Sequence, residues 1–329
     1  MQRVLVIVVV FLLVTASLGV GALAAHWPFW RRAWAWHTAE GGWPQELPGP
    51  QAIVRGGGGS PLDFEAAGED LAMVALKTDT QLLLRVRDGR ADAWLAPGFE
   101  ATTPIDGRGL AVALIEALFM RLEAAQPGLL DRPVGAWLAP WRQDARGAMS
   151  VRELLGQVAG GIDSPPAPAP LNPFSPRARL ASGPGYGRAA LLVHSPTDRD
   201  DRRAAAAQLL AMVAASMEGT RFTTVLEEWL WSEAAAGDAW LTLDRRNGDA
   251  AAHCCIRAAA ADWLRIGLAL AGAAGNEVRV VRTRGRLLAF GAGGSLLWVG
   301  TGPAPSGLEM LLRANGVPGG GAALAAAVH

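Results

Sequence analysis

Leu243-Asp244-Arg245-Arg246-Asn247-Gly248, His253-Cys254-Cys255 and Ala261-Asp262-Trp263-Leu264-Arg265-Ile266-Gly267 follow one another in close succession. The third piece lies in an apolar run, residues 258–271, of helical length. Asp262 and Arg265 stand three apart there and read as a salt bridge that orients a helix, not as groups that act on a substrate. The middle piece holds both cysteines of the chain, too few for a disulfide framework. Adjacent cysteines bridge only with strain, so two buried thiols are expected. His253 beside them makes no metal site. Three adjacent residues cannot converge on one tetrahedral ion without distant partners, and His26, His37 and His329 are poor ones. The trio reads as core filling.

Working outward, residues 277–283, 286–290 and 295–301 read as strands joined by Gly-rich turns, and 308–314 as a closing helix. Gly291–Gly294 is only superficially a phosphate loop. It lacks Gly-Lys-Ser/Thr and a following helix, so it reads as a hairpin turn. Toward the N-terminus, 202–217 and 222–234 read as helices, and six prolines between 164 and 176 mark a loop. Ser150 is a plausible N-cap for a helix to Val158, with Glu153 at the capping-box position. Residues 109–125 have helical length, with Leu110, Leu114, Leu118 and Leu122 stepping by four. The apolar runs 71–77 and 81–87, separated by Thr78-Asp79-Thr80, have the grammar of a hairpin, and 91–96 adds a third strand. Strands at both ends with helices between predict an α+β fold: one antiparallel sheet from N- and C-terminal strands, with a helical insertion at about 130–250. The implied organisation is an anchor or signal segment at 1–25, a tether or irregular entry at 26–70, the main domain at 71–315 and a Gly/Ala-rich tail at 316–329.

Val4–Ala25 carries no charge, and 14 of its 22 residues are Leu, Ile, Val or Phe. As a helix it would span about 33 Å, enough for a bilayer core. It reads as an uncleaved membrane anchor, with a cleaved signal peptide ending at Ala22-Leu23-Ala24 as the rival. Trp27, Phe29, Trp30, Trp34 and Trp36 around Arg31 and Arg32 fit an interfacial aromatic belt or a packing helix. Either way the body is exported, to the periplasmic face of a bacterial inner membrane or to the periplasm itself. The chain has 329 residues, 51% hydrophobic, with 30 basic and 30 acidic residues, a balance that argues against nucleic acid as partner. Of the 30 cations only Lys77 is a lysine, and Tyr186 is the single tyrosine. The oligomeric state is not legible.

The order of these segments resembles the serine hydrolases that share the class C β-lactamase, penicillin-binding-protein and DD-peptidase fold, within them the 6-aminohexanoate-dimer hydrolase and esterase-like branch. Leu130-Asp131-Arg132-Pro133-Val134, Trp141, Arg146 and Ser150-Val151-Arg152-Glu153-Leu154-Leu155 look like the segment after that family's nucleophile helix. Phe222 to Trp231 resembles a later helix, and the stretch from Leu243 to Gly267 is the most specific piece. The resemblance covers about residues 70–315. It implies acyl transfer on small amides, esters or cell-wall peptides, with no cofactor and no metal.

The chemistry the resemblance implies is not carried over. The family places Ser-x-x-Lys at the start of a helix, so that hydroxyl and amine share one face and the lysine takes the serine proton. Val74 stands three before Lys77, and no Ser-x-x-Lys occurs. Counting back from Pro133-Val134 places the nucleophile position near Gly109 and the lysine position near Val112. Asp106 is the nearest polar side chain, with Thr102 and Thr103 just upstream. Tyr186-Gly187-Arg188 does not fit the family's Tyr-x-Asn, and His194-Ser195-Pro196 sits closer to the expected place. His194 reads foremost as an ordinary polar residue before a charged turn, with a proton relay as the sharper alternative. The family's Lys- or His-x-Gly strand falls at Phe290 to Ser295, where Gly293 replaces the cation. The expectation is a binding module without catalytic serine and lysine, toward a cell-wall component, a peptide or a protein partner. The alternative is an active amidase or esterase using rearranged groups, with Tyr186 or His194 as base.

Overall fold

The computed structural model describes residues 14–17, 19–21, 27–39, 46–159, 176–183, 185–193, 199–271, 278–291, 294–308 and 310–313. Among these residues no helix is long and apolar enough to cross a membrane. Most of Val4–Ala25 lies outside them, residues 14–17 and 19–21 being helical, and the proline-rich loop and the tail also lie outside.

Helix α1 (Trp27–Thr38) buries Phe29, Arg32 and Trp36 against the body and leaves Trp27 and Trp34 exposed. Strands β1 (Gln51–Val54) and β2 (Phe64–Ala66) follow. The stretch 26–70, read as a tether, thus supplies a helix and two strands to the body.

Where 71–77 reads as a strand, the chain forms helix α2 (Glu69–Lys77). Leu71, Val74 and Ala75 are buried at spacings of three and four, a helical stripe too short to separate from a strand by pattern. The hairpin lies one step later, between β3 (Thr80–Arg87) and β4 (Arg90–Leu95). Its two-residue turn is Asp88-Gly89, with φ of 53° and 76°, the left-handed pair that a tight hairpin demands. Strand β5 (Pro104–Asp106) leads through a 3-10 turn, Arg108–Leu110, into helix α3 (Ala111–Ala125).

Helices α4 (Val151–Gly156), α5 (Pro176–Ser182), α6 (Tyr186–Val193), α7 (Arg199–Glu218) and α8 (Phe222–Leu226) fill the middle. The expected capping box opens α4: Glu153 N donates to Ser150 Oγ at 3.2 Å, and Ser150 N donates to Glu153 Oε2 at 2.7 Å. Strands β6 (Ala239–Thr242) and β7 (Ile256–Ala259) precede helix α9 (Ala260–Ala271). Within α9, Asp262 Oδ1 lies 3.5 Å from Arg265 Nη1, the pairing anticipated from their spacing. The chain closes with β8 (Arg279–Thr283), β9 (Arg286–Gly291), β10 (Gly294–Gly300) and the short helix α10 (Met310–Arg313).

The terminal strands share one sheet, in the order β2-β4-β3-β10-β9-β8. Its pairings are antiparallel except β2 with β4. Successive side chains of a strand point to opposite faces. Leu82, Leu84 and Leu297 accordingly join the main core, while Leu83, Leu296 and Trp298 join a second cluster with Leu71 of α2 and Leu308. A second sheet, β1-β6-β7-β5, was not legible in the sequence. Its strands are only three or four residues long, too short to show a period.

Cys254 and Cys255 are buried and bonded to each other, not the two free thiols expected. Cys255 has a φ of 66°, a backbone reversal at that residue.

Arg32 is fully buried, and its guanidinium donates only to main-chain carbonyls: Pro48 (2.7 Å), Leu243 (2.7 Å), Asp244 (2.9 Å) and Ser182 (3.3 Å). One side chain thus ties α1 to the segment before β1, to the end of α5 and to the segment after β6. Gly183, at φ 59°, makes room for it: a Cβ there would lie 2.6 Å from Arg32 Nη1. Arg32→Met leaves these buried carbonyls without donors and is expected to cost about 3 kcal/mol or more. Arg31→Met, at an exposed neighbour, is expected to cost less than about 0.5 kcal/mol. Denaturant unfolding of both variants checks this, and equal midpoints would remove Arg32 from its role.

Candidate functional site

A cleft of about 860 Å³ opens where the two sheets meet. Asp106 and Arg108 enter it from the end of β5 and the turn before α3, Arg257 from β7, and Arg284 and Arg286 from the β8–β9 turn. Gln81, Val299 and Thr301 line it from the ends of β3 and β10, and Thr38 and Glu46 close the side toward α1. The β5–β7 register sets Asp106 opposite Arg257. Arg286 Nε donates to the Asp106 carbonyl at 3.0 Å, and its Nη1 to the Gly285 carbonyl at 2.7 Å. Arg108 Nη1 donates to the Arg284 carbonyl at 2.6 Å. Arg108 holds a φ of 52°, uncommon for a residue with a Cβ. Before it, Gly107 is pressed against Trp263 of α9: a Cβ there would lie 2.0 Å from Trp263 Cζ2.

The positions singled out in the sequence part company here. Gly109 is buried in the turn that enters α3, and Val112 is buried in the helix's first turn. Residues 107–112 read Gly-Arg-Gly-Leu-Ala-Val, with no hydroxyl, thiol or amine. Asp106 lines the cleft, as does Thr103, whereas Thr102 is exposed and bonded to Glu100. Lys77 is exposed at the end of α2 and is not among the residues lining the cleft. Tyr186 is also absent from that lining. It is fully buried at the start of α6, 5.7 Å from the His253 ring centroid, with Arg32 5.9 Å above its own ring. Burial pushes its phenol up to about 12, so as a base it is corrected away from the cleft. His194 and Gly293 lie outside the described residues. The strand read as the family's substrate-side strand is also displaced. Gly291 and Gly294 end and begin β9 and β10, at the far end of that hairpin from Arg286. The strand beside the α3 entry is β8, continued by Arg284, whose carbonyl Arg108 bonds. The four arginines were missed as a group. Two of them, Arg284 and Arg286, were signalled by the closely spaced cations of Arg282-Thr283-Arg284-Gly285-Arg286; Arg108 and Arg257 carried no such signal.

Burial lifts the Asp106 carboxyl to about 6, against the lowering effect of the Arg108 N–H that donates to Oδ1 at 2.8 Å and of the charges on Arg286, Arg108 and Arg257. Burial and the charge of Arg108 bring Arg286 down to about 9, so it stays cationic at neutral pH. The folded state therefore holds a proton on Asp106 that the unfolded chain, near 3.8, has released. Its contribution to stability is favourable below about 4 and is lost as pH rises through about 6. Asp106→Asn is expected to flatten the pH dependence of unfolding between pH 4.5 and 7.5 by on the order of 2 kcal/mol. Denaturant midpoints at both pH values check this, and an unchanged slope would mean that Asp106 does not titrate in this range.

No family model matches the sequence, and no curated protein matches it. Solved structures do. A protein of Bacillus anthracis assigned as a 6-aminohexanoate-dimer hydrolase aligns with a TM-score of 0.59 at 12% identity, over 85% of this chain and 91% of its own. FmtA from Staphylococcus aureus aligns with a TM-score of 0.50 at 8% identity, over 77% of this chain and 90% of its own. A class C β-lactamase from Rhodobacter sphaeroides aligns less fully, with a TM-score of 0.40 at 12% identity over 60% and 63%. The likenesses to the Bacillus anthracis protein and to FmtA agree with the sequence resemblance, and the chain shares the fold of these two proteins, the hydrolase fold expected from the sequence.

Proposed function

We propose that this chain uses a hydrolase fold to bind without cleaving. Its body stands on the periplasmic side of a bacterial inner membrane, tethered through Val4–Ala25. The reading rests on one observation, the entry to α3. An acyl-transfer enzyme of this kind needs an alcohol and a base on one face of that helix. Here residues 107–112 offer neither, and Gly109 and Val112 are buried. The cleft beside them has a volume of about 860 Å³ and is lined by four arginines. Its occupant would be a small amide or ester, a peptide or a cell-wall component.

A fluorescent penicillin and a fluorophosphonate are expected to leave the purified protein unlabelled by intact-mass measurement. A stoichiometric adduct on a specific serine or threonine would overturn the reading. In a bacterial host the full chain is expected to stay with membranes through a carbonate wash. A soluble product beginning near Ala25 would show a cleaved leader instead.

One observation favours a second reading, hydrolysis by rearranged groups. Asp106 lies in the cleft with its carboxyl raised toward neutrality, the condition for a general base. Under that reading Asp106→Asn abolishes ester turnover while Tyr186→Phe leaves it. Equal residual turnover in both variants would assign it to a contaminant.

A further inference from the structure

The charges that line the cleft do not balance. Arg108, Arg257, Arg284 and Arg286 face two carboxylates, Asp106 and Glu46. Glu46 is taken by Arg257, at 3.4 Å. Among the described residues, even with Asp106 ionised, two positive charges are left over, those of four guanidiniums less two carboxylates.

The surplus sits where it is costly. Arg286 is 8% exposed. Its Nε and Nη1 are taken by carbonyls. Arg108 Nε is buried and has no hydrogen-bond partner among the described residues. Arg108 stands in a left-handed backbone conformation, and burial together with the charge of Arg108 lowers the proton affinity of Arg286. Burying a guanidinium without an opposing charge is unfavourable unless something neutralises it. The carboxylates among the described residues offset only half of the cleft's positive charge, and an external anion would offset the rest.

We infer that this cleft is a binding site for a compact dianion, a phosphate monoester, gripped by Arg286 and Arg108 at its floor and by Arg284 at its rim. Two features favour phosphate over a single carboxylate. The surplus is two charges, which a monoester dianion cancels and a carboxylate only halves. The guanidiniums also converge from separate segments, the turn before α3 and the β8–β9 turn, which suits a tetrahedral group offering oxygens in several directions. The cleft volume leaves space for a sugar-sized or glycerol-sized substituent beyond the anion. The inference rests on the non-cleaving reading of the same cleft and gives its ligand class.

The test uses the full chain in detergent. Inorganic phosphate, glycerol 3-phosphate and acetate are titrated by calorimetry at low and at physiological salt. Vesicles of phosphatidic acid and of phosphatidylcholine are compared in a flotation assay. Both phosphates are expected to bind, glycerol 3-phosphate the tighter, with affinity falling as salt rises. Acetate is expected to bind at least about tenfold more weakly, since a single carboxylate cancels one of the two charges. Preference for phosphatidic acid vesicles over glycerol 3-phosphate would assign the monoester to a lipid headgroup, and the reverse to a soluble ligand. Arg284→Met, an exposed side chain whose loss leaves its carbonyl in place, and Arg286→Met are each expected to weaken phosphate binding at least about tenfold. Arg31→Met, outside the cleft, is expected to leave it unchanged. Acetate binding as tight as phosphate, no phosphate binding at millimolar concentration, or full binding by Arg284→Met would each overturn the inference. Phosphate binding together with a penicillin or fluorophosphonate adduct would retain it and refute the non-cleaving reading. No adduct and no phosphate binding would do the opposite.

Discussion

The pairing of β3 with β10 holds the molecule together. It sets Leu82, Leu83 and Leu84 opposite Val299, Trp298 and Leu297, uniting segments from opposite ends of the sequence. The entropy of closing so long a loop grows only with the logarithm of its length. Side chains buried on both faces of the two strands offset it. Everything between is then confined to the space beside one sheet. The β8–β9 turn is brought to the entry of α3 because β9 is held in register by β10. The cleft is a product of that register, and a slip of one residue would turn the alternating side chains of β9 to the wrong faces.

Polar groups inside this framework fall into two kinds. Arg85, on β3, is buried with carboxylates on either side, Asp92 at 2.5 Å and Asp70 at 2.6 Å, and so fastens α2 to the sheet. Arg32 is buried among carbonyls whose donors it replaces. In both the donors are matched and the role is architectural. The cleft arginines differ in kind. Their donors outnumber their acceptors, and they stand on turns and strand ends, where a side chain can meet a ligand without disturbing the core.

Much of the architecture was legible because the sequence is locally consistent. The Leu steps of α3, the Ser150–Glu153 box and the Gly-bounded C-terminal strands each carry their own periodicity or cap. The failures have physical causes. Leu71, Val74 and Ala75 form a helical stripe of only nine residues, below the length at which period separates helix from strand. The short strands of the second sheet are read from their partners, which sequence does not display. For the site, Asp106 was found because it is the acidic residue nearest the expected nucleophile position. The arginines were not, because they converge from three separate stretches and only the fold assembles them. Abundant arginine hid the few that matter.

Tyr186 is the only tyrosine of the chain, and it is packed edge-on to His253 under Arg32. Its ultraviolet ionisation signal is therefore a reporter from a single address, at the seam between α1, α6 and the segment after β6. Appearance of the phenolate in alkali registers when that seam admits water, with thirteen tryptophans available to report on the remainder independently.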